Sequence, residues 1–159
     1  MSGFQSSITP NQTIDQILGL GNYERKFVIQ IANKTNHILS RVGAYNDRDN
    51  WPLGDIDRLQ TAGYQFGGNG PADGFSFGAN YEIVGTGKFV QFAASYPVMG
   101  RRKIALGSRN SPGRNPAQAI WDNLSDSDDK ATSNSPFNIR ATIRLNGGSS
   151  LIWFYEVSE

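Results

Sequence analysis

Apolar residues along this chain recur at every second position over short stretches, which is the period of a strand with one face buried. Residues 26–32 (KFVIQIA) alternate in this way and run into Asn33, Lys34, Thr35 and Asn36, so they read as a strand and its turn. Residues 37–45 resume the extended pattern. Residues 47–54 (DRDNWPLG) read as a loop, because Pro52 cannot donate to a ladder, and Trp51 is expected to lie exposed there. Glycine-rich turns at 67–70 and 85–87 bracket residues 75–84, and residues 88–95 (KFVQFAAS) read as a largely buried strand that completes a hairpin with them. Pro97 and Gly100 break the strand pattern, a short strand follows at 104–106, and residues 125–135 read as a polar, acidic, exposed loop. Residues 138–145 and 151–157 flank Asn146-Gly147-Gly148 and predict a closing hairpin.

Two stretches depart from this period. Residues 9–23 (TPNQTIDQILGLGNY) place Ile14, Ile17 and Leu18 on one helical face, with Thr9 or Thr13 as the N-cap. Gly19 and Gly21 each cost a helix about 1 kcal/mol relative to alanine, so its C-terminal end should fray. Residues 116–124 (PAQAIWDNL) predict a second short helix opened by Pro116, since proline is tolerated in the first turn. The fold class expected is all-β, a two-sheet β-sandwich carrying these two helices.

Composition supports that class. The chain has 159 residues, 18 of them glycine and 7 proline, with only 18% charged, which suits many short strands joined by turns. That length fits one hydrophobic core, so residues 1–159 read as a single domain. A net charge of +1 lacks the basic excess on which sequence-independent nucleic-acid binding depends, so nucleic acid is excluded as a partner. No cysteine is present, which removes disulfides, thiolate nucleophiles and thiolate metal sites. No run approaches the roughly 20 apolar residues that cross a bilayer as a helix, and residues 1–10 carry no basic, apolar secretory signal.

Catalytic chemistry is missing from the pattern. His37 is the single histidine, no G-x-S-x-G elbow accompanies it, and no partner completes a metal-ligand set. Asp126, Asp128 and Asp129 lack the spacing of a calcium loop, and neither glycine-rich turn opens a helix with a phosphate-binding lysine. The reading is therefore no enzyme, no metal and no cofactor. What stands above background is aromatic and basic: Trp51, Tyr64, Phe77, Tyr81, Tyr96 and Trp121, with Arg48, Arg101, Arg102 and Lys103. Rings beside cations suit a head group, by cation–π contact, or a sugar, by stacking. The loop from Ser95 to Lys103 is the site candidate, with Pro97 and Gly100 holding Tyr96 and Arg101 out of the ladder.

The order of these features resembles the actinoporins, pore-forming cytolysins of sea anemones. The resemblance runs from the amphipathic segment into Arg25-Lys26-Phe27-Val28-Ile29-Gln30-Ile31, through Gly70-Pro71-Ala72-Asp73-Gly74, Tyr81, Gly87 and Phe92, to Ser95-Tyr96-Pro97, Gly113-Arg114, Trp121 and Leu124. It spans nearly the whole chain. It implies a sandwich, shared with the fungal fruit-body lectins and more loosely with the aegerolysins, that binds membrane lipid head groups, forms a homo-oligomer on the membrane and inserts its N-terminal helix through Ile14, Ile17 and Leu18. By position it implies a head-group site of Arg48, Phe77, Ser95, Pro97 and Trp121, with Ser125 and Asp126 where the family has tyrosines. The family's aromatic stretch after S-x-P is here Val98-Met99-Gly100-Arg101-Arg102-Lys103, a basic patch in its place. The alternative is a lectin on the same fold, with glycans as partners. The resemblance implies secretion followed by association with a target membrane; without a signal segment, a cytoplasmic protein is the alternative.

Overall fold

The alternating segments pair into two sheets. A computed structural model describes residues 2–8, 25–46, 50–68, 74–96, 101–146 and 150–159. Among these are strands β1 (Ser2–Ile8), β2 (Arg25–Asn33), β3 (Leu39–Asn46), β4 (Thr61–Gly68), β5 (Phe75–Ile83), β6 (Lys88–Tyr96), β7 (Lys103–Gly107), helix α1 (Arg114–Trp121), and strands β8 (Asp129–Asn134), β9 (Phe137–Asn146) and β10 (Ser150–Ser158). One sheet has the order β1-β4-β2-β10-β9-β8, the other β3-β5-β6-β7. All pairs are antiparallel except β2 with β10. The all-β sandwich expected from the sequence is present, and so is the helix near 116–124, shifted two residues earlier so that Pro116 stands in its first turn. The predicted helix at 9–23, with Ile14, Ile17 and Leu18, lies outside the described residues.

The core fills the space between the sheets. Phe75, Phe77, Ala79, Tyr81 and Ile83 point inward from β5, and Val90, Phe92 and Ala94 from β6, against Ile29 and Ile31 of β2 and Leu151, Trp153, Tyr155 and Val157 of β10. Rings meet across it: Phe75 lies edge-on to Trp153 at 4.8 Å, and Phe92 tilts against Tyr155 at 4.8 Å. Such contacts add to the roughly 1.5–3 kcal/mol that burying each large apolar side chain contributes. Polar tips of core rings are satisfied locally. Trp51 Nε1 donates to Tyr81 Oη at 2.9 Å, Tyr81 donates to the Leu53 or Gly54 carbonyl at 3.1 Å, and Tyr155 Oη donates across the sandwich to the Ala93 carbonyl at 2.7 Å.

Three expectations are corrected here. Trp51 is 2% exposed, not a surface ring, because Pro52 and Leu53 turn the loop inward and Tyr81 offers its indole a partner. Residues 129–134 form β8 rather than a free loop; as an edge strand with one face in water it needs few apolar residues, and its alternation is carried by Lys130, Thr132 and Asn134 alone. Strands β1 and β4 were not anticipated, since TAGYQFGG reads as turn-rich until Tyr64 and Phe66 face Ile29 and Phe27 across the ladder.

Burial raises the pKa of both Tyr81 and Tyr155 above the ordinary tyrosine value, desolvation of the phenolate being the largest cause in each. The folded state therefore holds these protons after the unfolded chain, whose tyrosines titrate near 10, has released them. Their contribution to stability is complete below about pH 10 and falls as pH rises beyond it. Denaturant midpoints measured between pH 8 and 11.5 are expected to drop steeply at the alkaline end, and Tyr155→Phe should flatten that drop.

Candidate functional site

The strand period that sends Phe75 and Phe77 inward sends Ser76, Gly78 and Asn80 to the outer face of the four-stranded sheet. Helix α1 lies on that face, and glycines make room for it: a Cβ at Gly43 would stand 2.1 Å from the Gly113 carbonyl oxygen, and one at Gly78 would stand 2.9 Å from that of Ala117. The chain enters the helix through Gly113, whose φ of 90° favours glycine. A buried amide pair holds the entry loop. Gln91 Nε2 donates to Asn80 Oδ1 at 2.7 Å and to the Arg109 carbonyl at 2.9 Å, while Asn80 Nδ2 donates to the Ser111 and Gly113 carbonyls at 2.8 and 3.1 Å.

With its entry fixed, α1 delivers Trp121 to the open end of the sheet. Trp121 is half-buried; its Nε1 donates to Ser76 Oγ at 2.7 Å, and its ring tilts against that of Tyr45 at 4.9 Å. The Arg114 guanidinium sits 4.8 Å over the other ring of the pair, Tyr45. Ser76 pairs with Ser95 on β6, and Ser95 with Lys103 on β7, so both hydroxyls and the lysine share one row of the outer face. Both serines are nearly buried, at 7% and 6% exposure, whereas the rings above them remain in contact with solvent. The result is a two-ring aromatic platform over hydroxyls, with cations at its margin. It can hold a cationic or polar group by ring-face contact and donate hydrogen bonds to oxygens.

Of the residues expected in the site, Ser95 and Trp121 are brought together here. Tyr96 is a correction: it stays in the ladder as the last residue of β6, paired with Phe75, and its half-buried ring tilts inward against Phe27 at 5.0 Å, at the rim of the core rather than on the platform. Phe77 is a correction: it is fully buried, stacked on Phe75 at 5.1 Å, because its odd position on β5 faces the core. Arg48 and Pro97 lie outside the described residues. Arg101 is exposed, and among the described residues its guanidinium has no partner. Arg102 does not join it, since Nε and Nη2 both bond Asp128 at 3.0 Å as a bidentate pair. The basic patch thus offers Arg101 and Lys103, not three cations. Ser125 bridges Ile104 at the edge of β7, and Asp126 is exposed.

Tyr45, Ser76 and Arg114 were missed. Tyr45 had a signal, being out of phase with the inward Ala44; Arg114 stood beside Gly113 in the resemblance without a site role, and Ser76 had no signal. His37 has a structural place, its Nδ1 3.1 Å from the Val84 carbonyl and its ring edge-on to Phe137. Among the described residues, no group of three His, Asp or Glu is placed to hold a metal, and no helix is long and apolar enough to cross a membrane.

No protein-family model and no characterised protein's sequence matches the chain. Its backbone, however, superposes on the crystal structure of the lipid-binding protein Nakanori with a TM-score of 0.66, covering 91% of this chain and 76% of that one at 9% identity. The lectin of Xerocomus chrysenteron is similar too, in a methionine-substituted form with a TM-score of 0.54, 10% identity and cover of 87% of this chain and 100% of that one. The wild-type lectin gives 0.51 at 10% identity, over 84% and 99%. The three share one fold with this chain. At such identity the likeness concerns the fold and carries no family and no site residue over.

Proposed function

We propose that this chain binds membrane lipid, taking a head group onto the Tyr45–Trp121 platform. The observation that carries the reading is the half-exposed ring pair at 4.9 Å, with Trp121 bonded to the nearly buried Ser76 hydroxyl, whose cross-strand partner is Ser95. Large rings kept in water normally mark a contact surface, since their apolar area is better placed in a core. Nakanori, which has this fold, is a lipid-binding protein, and that supports lipid ahead of the glycan that a lectin neighbour would favour. The test is co-sedimentation with phosphatidylcholine–sphingomyelin vesicles alongside a neutral-glycan array. Vesicle binding supports the reading; saturable binding to neutral glycans with none to vesicles would replace it with the lectin.

The finer part of the proposal is that the chain is an actinoporin-like toxin that, after docking, assembles on the membrane and inserts residues 9–23. Strand β1 sets a condition on that step. Both β1 and β2 pair with β4, one on each side, so the segment between them is fastened at Ile8 and at Arg25 to the same strand. Fifteen residues at 1.5 Å each make a helix of about 22 Å, short of the ~30 Å hydrocarbon core, so insertion draws in the neighbouring residues and β1 must leave β4. The chain has no cysteine of its own, so a Ser7→Cys, Ala62→Cys pair across this ladder makes a single lock. Oxidised, it is expected to abolish vesicle leakage while leaving vesicle binding intact, with leakage restored by dithiothreitol. Leakage unaffected by the lock would remove the insertion step.

A further inference from the structure

On the outer face of the six-stranded sheet, far in sequence from the platform, β8, β9 and β10 set nine residues in three cross-strand rows. Asp129 faces Thr142, which faces Phe154; Ala131 faces Arg140, which faces Glu156; Ser133 faces Asn138, which faces Ser158. Their neighbours Ile139, Ala141, Tyr155 and Val157 fill the core, so the rows belong to the other face. At the usual strand spacings the array measures about 10 Å by 14 Å. Two adjoining hollows of about 370 and 360 Å3 open on it, and Ala131 and Arg140 line both. Ala131, the smallest side chain of its row, leaves the notch at the sheet edge.

The chemistry at the centre is unbalanced. Thr142 Oγ1 lies 3.0 Å from Asp129 Oδ1, and Lys34 pairs with Glu156 at 3.0 Å, so both carboxylates are engaged. Arg140 stands between them in the middle row, exposed, and no hydrogen bond or ion pair holds its guanidinium among the described residues. A guanidinium offers a planar fork that matches one carboxylate bidentately. A multiply charged anion such as phosphate would meet Asp129 and Glu156 on either side, and like charges at this range repel. A sugar carrying a single carboxylate fits better, because its carboxylate meets Arg140 while its hydroxyls reach Asp129, Asn138, Glu156 and Ser158, which offer acceptors and donors around the notch.

We propose that this face is a second ligand site, one that binds a carboxylate-bearing sugar through Arg140. It stands apart from the lipid reading and needs none of the platform residues. The experiment titrates the full chain with 3′-sialyllactose and with lactose, following amide shifts of residues 129–158. Binding of sialyllactose in the millimolar range, at least tenfold tighter than lactose, is expected, as is a loss of that preference in Arg140→Ala. Trp121→Ala should bind the sugar as the native chain does. Equal affinity for the two sugars, unchanged binding by Arg140→Ala, or no shift up to about 10 mM sialyllactose would each overturn the proposal. Arg140 is exposed, so the variant is expected to fold, and an unchanged melting curve with lost binding isolates the ligand contact.

Discussion

Trp121→Ala is expected to weaken vesicle binding about thirtyfold or more, the loss of about 2 kcal/mol or more that truncating a central aromatic contact produces. The ring carries half of the platform, and its removal also takes away the bonding partner of the Ser76 hydroxyl. Stability should fall little, by about 1 kcal/mol, because the ring is half-buried and its single hydrogen bond is to a hydroxyl that water can replace. Trp121→Phe separates the two contributions, keeping a ring against Tyr45 while losing the N–H donor. Vesicle co-sedimentation alongside thermal melting reads both quantities. A large drop in melting temperature with vesicle binding intact would make Trp121 a packing residue of α1 and remove the platform from the mechanism.

The largest loss of stability is expected at Asn33, the fully buried last residue of β2. Its Nδ2 donates to the carbonyls of His37, Ile56 and Asp57 at 2.7, 3.3 and 3.0 Å, and its Oδ1 accepts from Thr35 N at 3.1 Å and Thr35 Oγ1 at 2.7 Å. One side chain thus closes the 34–37 turn and ties it to the segment before β4. Alanine leaves the Thr35 N–H and the Asp57 carbonyl without this partner, while the Ile56 carbonyl keeps Leu39 N and the His37 carbonyl keeps Thr35 Oγ1; at about 1–3 kcal/mol for each orphaned group, a total of about 3–4 kcal/mol is expected. Asn33→Asp keeps the acceptor, loses the donors and buries a charge, so it should rescue nothing. Urea unfolding checks both, and a cost below 1 kcal/mol in the alanine variant would mean that water enters the turn.

Strands facing a filled core on one side and water or α1 on the other, such as β5 and β9, were legible because the period of two survives in them. Strands β2 and β10 were legible as alternating apolar runs, although both faces of β2 are buried. The edges were not legible. In β8 packing demands little of the outer face, and in β4 the glycines of a paired strand look the same in sequence as glycines that turn a chain. The site was legible in part for a related reason. Trp121 and Ser95 were found as a rare ring and as part of a motif, but Phe77 was assigned as an aromatic residue and by its position in the resemblance, when its place two residues from Phe75 on one strand already put it in the core. Tyr45, Ser76 and Arg114 come from three elements that meet only after α1 settles over Gly43 and Gly78, and no local pattern encodes that meeting.

The parallel contact between β2 and β10 has a bearing on synthesis. Phe27 lies beside Leu151, Ile29 beside Trp153 and Ile31 beside Tyr155, so the central strand pair of the larger sheet joins residues 25–33 to residues 150–158. Contacts of that separation form slowly, since a long loop must close before they contribute. Until β10 has been made and has left the ribosome, the growing chain has no partner for one edge of β2 and exposes Phe27, Ile29 and Ile31 to whatever else is in solution. Sheet closure therefore waits for β10, and the interval before it is when unpaired strands are open to aggregation and to capture by a chaperone.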